Sequence, residues 1–273
     1  MSSDFKPLTW PLRSAEAPGR ELSYFVGGRG PDVLYLHPAS GFRVSDPLAR
    51  LATKFRVWAP IVPGFDGTEL QEEITTLRGV ADLISEFMSA KISSGRCDVV
   101  GHSLGGWIGA WLAVLHPEQV DQLVLSAPAG FRAPDAAPLS FEPAVMLKQL
   151  YAHPEKRPID EKPPEFITGN RDAIVHYDAG ESRDVDLMSR VSEIECGTLI
   201  MHGTQDVRVP VDAVQMLRHE IPHSQLMYIY DAAHGLEIDQ PERVGELIED
   251  FLMRGEAFIV KATQTGDAAG AGA

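Results

Sequence analysis

Three residues have the types needed for a nucleophile, a base and an orienting acid: Ser103, His234 and Asp206. Ser103 lies in Gly101-His102-Ser103-Leu104-Gly105-Gly106. The apolar run Cys97-Asp98-Val99-Val100 precedes it, and the helix-like stretch Trp107 to Leu115 follows. A strand that enters G-x-S-x-G and leaves as a helix is the context of a nucleophile elbow. Glycines either side remove the Cβ atoms that would collide in so sharp a turn. At the N-terminus of a helix, Ser103 would meet outward-pointing N–H groups that favour negative charge.

A serine hydroxyl is a poor nucleophile without a base in hydrogen-bond reach. Nine histidines compete for that role. His234 follows the strand-like run Gln225 to Tyr230, in Asp231-Ala232-Ala233-His234-Gly235. That puts it on a loop at the carboxyl edge of the sheet, where Ser103 also lies. His102 neighbours the serine but points elsewhere on the turn. His116 ends a helix, while His153, His176, His219 and His223 belong to insertion or surface segments. His37 and His202 end strands and suit structural hydrogen bonds near the site.

The imidazole needs an acid to fix its tautomer and stabilise its charge. Asp206 follows the strand Thr198 to Met201, in His202-Gly203-Thr204-Gln205-Asp206. Asp231 is too close along the chain to face His234 easily. The segment after Ser126 is Ala127-Pro128-Ala129 and offers no carboxylate. A tetrahedral intermediate also needs two aimed N–H donors. One expected donor is the backbone of Leu104. The other should come from His37-Pro38-Ala39-Ser40-Gly41-Phe42; Pro38 has no N–H, so Ala39 is the candidate and Ser40 its rival. Ser103 itself is expected to stand exposed in a cleft.

These residues need strands to carry them. The sequence predicts strands around Leu8 to Leu12, over Leu22 to Val26 and over Val33 to Leu36, the last two joined by the turn Gly27-Gly28-Arg29-Gly30. Further strands are predicted over Arg56 to Ile61, residues 97–103, Gln122 to Ser126, Thr198 to Met201 and Gln225 to Tyr230. Helices are predicted over Asp46 to Lys54, Thr76 to Ile92, the stretch ending at His116, Val211 to Glu220 and Pro241 to Met253. Such alternation implies α/β architecture: a mostly parallel twisted sheet covered on both faces by helices. From Phe131 to Val191 prolines interrupt the rhythm, with short helical pieces such as Pro143 to Tyr151 and a crossover helix near Asp184 to Arg190. About 60 structureless residues are unusual inside a compact domain. Phe141, Met146, Leu147, Leu150, Tyr151, Phe166, Ile174 and Tyr177 argue that this stretch packs as a helical cap inserted after the sixth strand. The expected organisation is a core of residues 1–130 and 192–261, a cap of residues 131–191 and a disordered tail of residues 262–273. Trp107 and Phe131 are plausible pocket residues, with core packing the better role for Trp107.

The chain has 273 residues, 24 Lys and Arg against 39 Asp and Glu, and a net charge of −15. Nucleic acid and anionic membranes need a positive footprint, so neither is an expected partner. No run of 18 apolar residues predicts a membrane span. Two cysteines, Cys97 and Cys196, begin apolar runs and suit small buried hydrophobes. With no basic-then-apolar leader in Met1 to Trp10, a reducing cytoplasm is the expected location. No clustered metal-ligand spacing occurs, and neither a metal nor a cofactor is expected.

Taken together, His37-Pro38, Pro60 to Asp66, Gly101 to Gly106, His202 to Asp206 with Val209-Pro210, and Ala233-His234 with Asp239-Gln240-Pro241-Glu242 resemble the α/β-hydrolase-fold serine hydrolases, of esterase or lipase type, over about residues 20–255. The resemblance implies an acyl-enzyme on Ser103, His234 and Asp206, formed from a small carboxylic ester, lactone or thioester. The expected partner is that small molecule, with a homodimer left open. Two departures stand out. His37-Pro38 replaces the common His-Gly, and Pro63-Gly64-Phe65-Asp66-Gly67-Thr68 replaces Pro-Gly-x-Gly-x-Ser, which reshapes that loop. Ser103 excludes relatives with an aspartate nucleophile. Hydrolases that cut carbon–carbon bonds of ring-cleavage products often carry Asn before the serine and Trp after the histidine; this chain has His102 and Gly235-Leu236. Acyl transfer, perhydrolysis and ligand binding without catalysis are the remaining alternatives.

Overall fold

The computed structural model describes residues 10–17, 20–136, 139, 142–157, 162–177, 179–180 and 182–258. Its strands are β1 (Leu12–Ala17), β2 (Arg20–Gly28), β3 (Asp32–Leu36), β4 (Arg56–Pro60), β5 (Cys97–His102), β6 (Val120–Ser126), β7 (Gly197–Gly203) and β8 (Ser224–Ile229). They form one sheet in the order β1-β2-β4-β3-β5-β6-β7-β8. The β1–β2 and β2–β4 pairs are antiparallel and the rest parallel. Val33 to Leu36, Leu123 to Ser126 and Thr198 to Gly203 are buried at every position. Neighbouring strand residues point to opposite faces, so both faces are covered.

The helices are α1 (Asp46–Leu51), α2 (Leu77–Lys91), α3 (Leu104–Leu115), α4 (Pro143–Leu150), α5 (Pro164–His176), α6 (Val185–Arg190), α7 (Val211–Glu220), α8 (Leu236–Asp239) and α9 (Pro241–Arg254). In α2 the 3.6-residue stripe Leu77, Val80, Ala81, Ile84, Phe87 and Met88 is the buried face. The Thr76 hydroxyl accepts the Gly79 N–H at 3.1 Å and caps its start. α3 is apolar all round and buried from Leu104 to Val114, as a central helix should be. It packs on α2 and against β3, β5 and β6, while α1 packs on α9.

One expectation changes at the amino-terminal edge, and one pairing is added. The first strand begins at Leu12, where the expected one ends, and Leu8 lies outside the described residues. β2 and β3 are consecutive but not partners: β4 lies between them, antiparallel to β2 and parallel to β3. The glycine-rich turn therefore carries the chain past a strand position rather than closing a hairpin. A Cβ on Gly28 or Gly30 would collide with backbone near Phe55 and Lys54, and both glycines have positive φ.

Between β6 and β7 the chain makes its long excursion. The two ends of that excursion meet in a bridge between Phe131 and Arg183, reinforced by Asp184 N–H to Gly130 O at 2.8 Å. Of the apolar residues expected to pack it, Tyr177 is buried, and Met146, Leu147, Leu150, Tyr151, Phe166 and Ile174 are half-buried. Phe141 and the tail of residues 262–273 lie outside the described residues. Trp107 packs in the core, its indole N–H donating to Asp184 at 2.8 Å, and Trp111 donates to the same carboxylate. Cys97 is buried and Cys196 half-buried, both as free thiols. No described helix is long and apolar enough to cross a membrane.

Candidate active site

β5 delivers Ser103 on a backbone no ordinary residue prefers. Its φ is 54° and ψ −112°, a conformation that costs about 1–3 kcal/mol. A Cβ on Gly101 would strike the Gly105 carbonyl, and one on Gly105 would strike that of Leu36. These contacts explain why both flanking positions are glycine. Three bonds hold the turn: Ser103 N–H to Ser126 O at 2.9 Å, and the N–H groups of Ala129 and Trp107 to Ser103 O at 3.0 and 3.1 Å.

His234 arrives on the loop after β8 and Asp206 on the loop after β7. His234 Nε2 lies 2.9 Å from Ser103 Oγ, and His234 Nδ1 lies 3.0 Å from Asp206 Oδ2. The other oxygen of Asp206 accepts the N–H groups of Arg208 at 2.7 Å and Val209 at 3.0 Å. Burial pushes the Asp206 carboxyl up, but His234 and the Val209 N–H outweigh it and hold the group below its ordinary range. An ionised Asp206 accepts the Nδ1 proton, which leaves Nε2 as acceptor for the serine hydroxyl. Asp231 does not face this ring; it pairs with His153 Nε2 at 2.7 Å.

Ser103 is only 8% exposed and His234 only 6%, so the serine lies under cover rather than open in a cleft. The end of α4 and the residue after it pack on the loop that carries His234. Gly235 N–H donates to Leu150 O at 2.7 Å, and a Cβ on Gly235 would run into the Tyr151 ring. Asp239, fully buried, accepts N–H groups from Ala233 at 2.8 Å, Ala152 at 3.0 Å and His153 at 2.9 Å. One carboxylate thus ties the His234 loop to the inserted segment.

The other histidines take structural places. His37 donates from Nδ1 to Pro38 O at 2.8 Å and accepts the Val62 N–H on Nε2 at 3.0 Å. His102 donates from Nε2 to His234 O at 3.1 Å. Its Nδ1 faces the buried Glu237 at 3.9 Å, and Glu237 also accepts from Tyr35 and Ser45. Burial lowers the pKa of His37, His102 and His202 and keeps these rings neutral.

Leu104 is the first residue of α3, so its N–H has no acceptor within the helix. The loop after β3 is a turn closed by Gly41 N–H to Pro38 O at 2.9 Å, with Ala39 half-buried and Ser40 exposed. Among the described residues, no group of three or more His, Cys, Asp or Glu is placed to hold a metal ion.

With this geometry in place, the comparisons are informative. The model of the Alpha/beta hydrolase family matches residues 25–247. The chain belongs to this family. It is 28% identical to a 2-hydroxymuconate semialdehyde hydrolase of Pseudomonas putida, over 90% of this chain and 95% of that protein. It is 27% identical to a pimeloyl-[acyl-carrier protein] methyl ester esterase of Aeromonas hydrophila subsp. hydrophila, over 82% of this chain and 96% of that protein. Among solved structures, a serine hydrolase involved in carbazole degradation superposes with a TM-score of 0.74 at 24% identity, covering 90% of this chain and 99% of that one. That likeness speaks for the fold.

In this alpha/beta hydrolase, several side chains around the site have roles the sequence did not reveal. Asp239, Glu237, Asp66, Asn170 and Lys162 each make a contact 87 or more positions away. Asp66 and Asp239 carried a signal, the first as the departure from the family's loop pattern and the second as part of a matching piece, but neither pattern named the partner.

Proposed function

We propose that this alpha/beta hydrolase is a serine esterase that cleaves a small carboxylic ester, lactone or thioester through an acyl-enzyme. The hydrogen-bonded chain Ser103–His234–Asp206 is the observation that carries this reading. Ser103 Oγ attacks the carbonyl carbon while His234 Nε2 takes its proton. Asp206 steadies the imidazolium that forms, and the N–H groups of Leu104 and Ala39 face the developing oxyanion. His234 then protonates the departing group. Water, deprotonated by the same ring, releases the acid and restores the serine. Residues 131–191 act as the cap that shapes the acyl pocket.

The relatedness to 2-hydroxymuconate semialdehyde hydrolase supports a second reading, cleavage of a carbon–carbon bond next to a ketone by the same residues. His102 and Gly235-Leu236 in place of Asn and Trp favour the ester reading. The deciding experiment offers the purified chain p-nitrophenyl esters of rising chain length, lactones, and a 2-hydroxy-6-oxodienoate followed by its absorbance. Ester turnover with fluorophosphonate labelling of Ser103 supports the proposal. Faster turnover of the dienoate than of every ester overturns it in favour of the second reading.

A further inference from the structure

Lys162 of the inserted segment meets both the β4–α2 connection, as an ion pair with Asp66, and the loop after β3. Lys162 Nζ donates to Asp66 Oδ1 at 2.7 Å and to the Ser40 carbonyl at 2.9 Å. The other oxygen of Asp66 accepts the Phe42 N–H at 2.7 Å. Asp66 itself sits at φ 52°, its N–H donated to Asn170 Oδ1 of α5 at 2.8 Å. Loop residues 40 and 42 are therefore pinned on either side of Gly41, and a Cβ on Gly41 would collide with the Asp66 carboxylate. The pair is largely shielded, with side-chain exposures of 16% and 13%. A surface ion pair would contribute little, and shielding one carries a desolvation cost. A shielded ammonium needs acceptors for its N–H donors, and the second one Lys162 takes is a backbone carbonyl of this loop.

We infer that Lys162 and Asp66 are positioning residues that hold the 37–42 loop where its N–H groups must meet the oxyanion. The inference rests on the esterase reading above. An oxyanion donor acts only when it is aimed, and losing one outright costs about 10²–10³ in kcat. A donor loosened on an unpinned loop should cost less, because it still visits the right position. The inserted segment then contributes to the chemical step as well as to the choice of substrate.

The experiment compares wild type, Lys162→Met and Lys162→Arg on p-nitrophenyl acetate, and follows hydrogen exchange at the Gly41 and Phe42 amides in a Ser103→Ala background. Lys162→Met should lower kcat about 10- to 100-fold, with KM within about threefold of wild type. The rate of labelling by a fluorophosphonate should fall in parallel. Lys162→Arg should recover most of the loss, since it restores the charge and donors. The two loop amides should exchange faster in Lys162→Met. Asn170→Ala enters the same chain from α5 and should act in the same direction, more weakly, even where Lys162→Met folds poorly. A pair serving stability alone would lower Tm and leave kcat and the loop amides untouched, and that result overturns the inference. A wild type that takes no probe and turns over no ester removes the esterase reading instead. Unchanged loop exchange in Lys162→Met removes the clasp whatever the wild type turns over.

Discussion

The acid–base side of the site and its oxyanion side are built in different ways. Ser103, Asp206 and His234 are side chains on the first loops after β5, β7 and β8, three strands whose spacing the sheet itself fixes. Every contact between them is direct, at 2.9 and 3.0 Å. In the proposed reading the oxyanion side consists of backbone N–H groups, that of Leu104 at the start of α3 and that of Ala39 on the loop after β3. That loop is held by Asp66 from the β4–α2 connection, and through it by Lys162 and Asn170 of the insertion. The core thus brings the acid–base side chains together, with the insertion bracing only the His234 loop through Asp239 and Leu150, whereas in the esterase reading the loop after β3 is held from the insertion through Asp66. Damage to the two sides should therefore look different.

The sharpest test of the acid–base side is Ser103→Ala. It should reduce kcat by about 10⁶-fold, by the precedent of other triad serines. The strained φ of 54° is relieved little by alanine, so the fold should persist with nearly unchanged Tm. Turnover near the wild-type rate in that folded variant would sink the esterase reading. Asp206→Asn comes next, at about 10⁴-fold in kcat, because an amide can hold the wrong imidazole tautomer. Asp231→Asn is its control. Asp231 faces His153, not His234, so kcat should stay within a few-fold of wild type. If the two variants exchange these effects, the acid has been assigned to the wrong loop.

The contrast also explains what could be read from the sequence. Ser103, Asp206 and His234 each follow an apolar run at the same sheet edge, so local pattern and chain order located them. The turn between β2 and β3 was legible, but a short connection does not reveal that β4 inserts between them. The packing of the His234 loop depends on Leu150 and Tyr151 reaching Gly235, 84 or more positions away. No periodicity encodes such a meeting. Helix α5 was hidden for a related reason. It opens on Pro163-Pro164 and contains Gly169 and Asn170, and only Asn170 and Ala173 of its residues are buried. Its contacts are specific, not amphipathic: Phe166 fills the space left by Gly67, and Tyr177 just beyond it donates to Pro63 O at 2.9 Å. The unusual Asp66-Gly67 is the core's half of that contact.

Within the insertion, the two seams should separate by what they do to different substrates. Tyr151 leans on Gly235 beside the base, whereas Lys162 grips the loop opposite. Tyr151→Ala should shift kcat/KM between acetate and octanoate esters by about tenfold relative to wild type, since each pocket methylene is worth about 1–3 kcal/mol of discrimination. Lys162→Met should lower all chain lengths together. A Tyr151→Ala profile parallel to wild type across the series would show that this seam does not contact the acyl chain.

The smallest expected effect compares the buried carboxylate of Asp206 with the half-buried one of Asp98 and involves no catalysis. Asp206 is surrounded by donors and held below its usual range. Asp98, at the other end of β5 from Ser103, has the Gln122 amide at 3.2 Å as its donor, and burial pushes its pKa up to about 7. The signs are opposite. A carboxyl with a lowered folded pKa adds stability above its unfolded value, and that stability is lost as pH falls through the folded one. A carboxyl with a raised folded pKa binds its proton more tightly in the native state, so stability falls as pH rises from about 4 to about 7. At about 1.4 kcal/mol per unit, Asp98 should cost a few kcal/mol above that window. Asp98→Asn removes the titration and keeps an oxygen for Gln122. Its Tm should match wild type near pH 4 and exceed it by several degrees near pH 8, with kcat unaffected. Thermal melts of both proteins across that range provide the check. A Tm gain that is the same at pH 4 and pH 8 would mean that Asp98 is ionised throughout, and that burial at this end of β5 does not hold its proton.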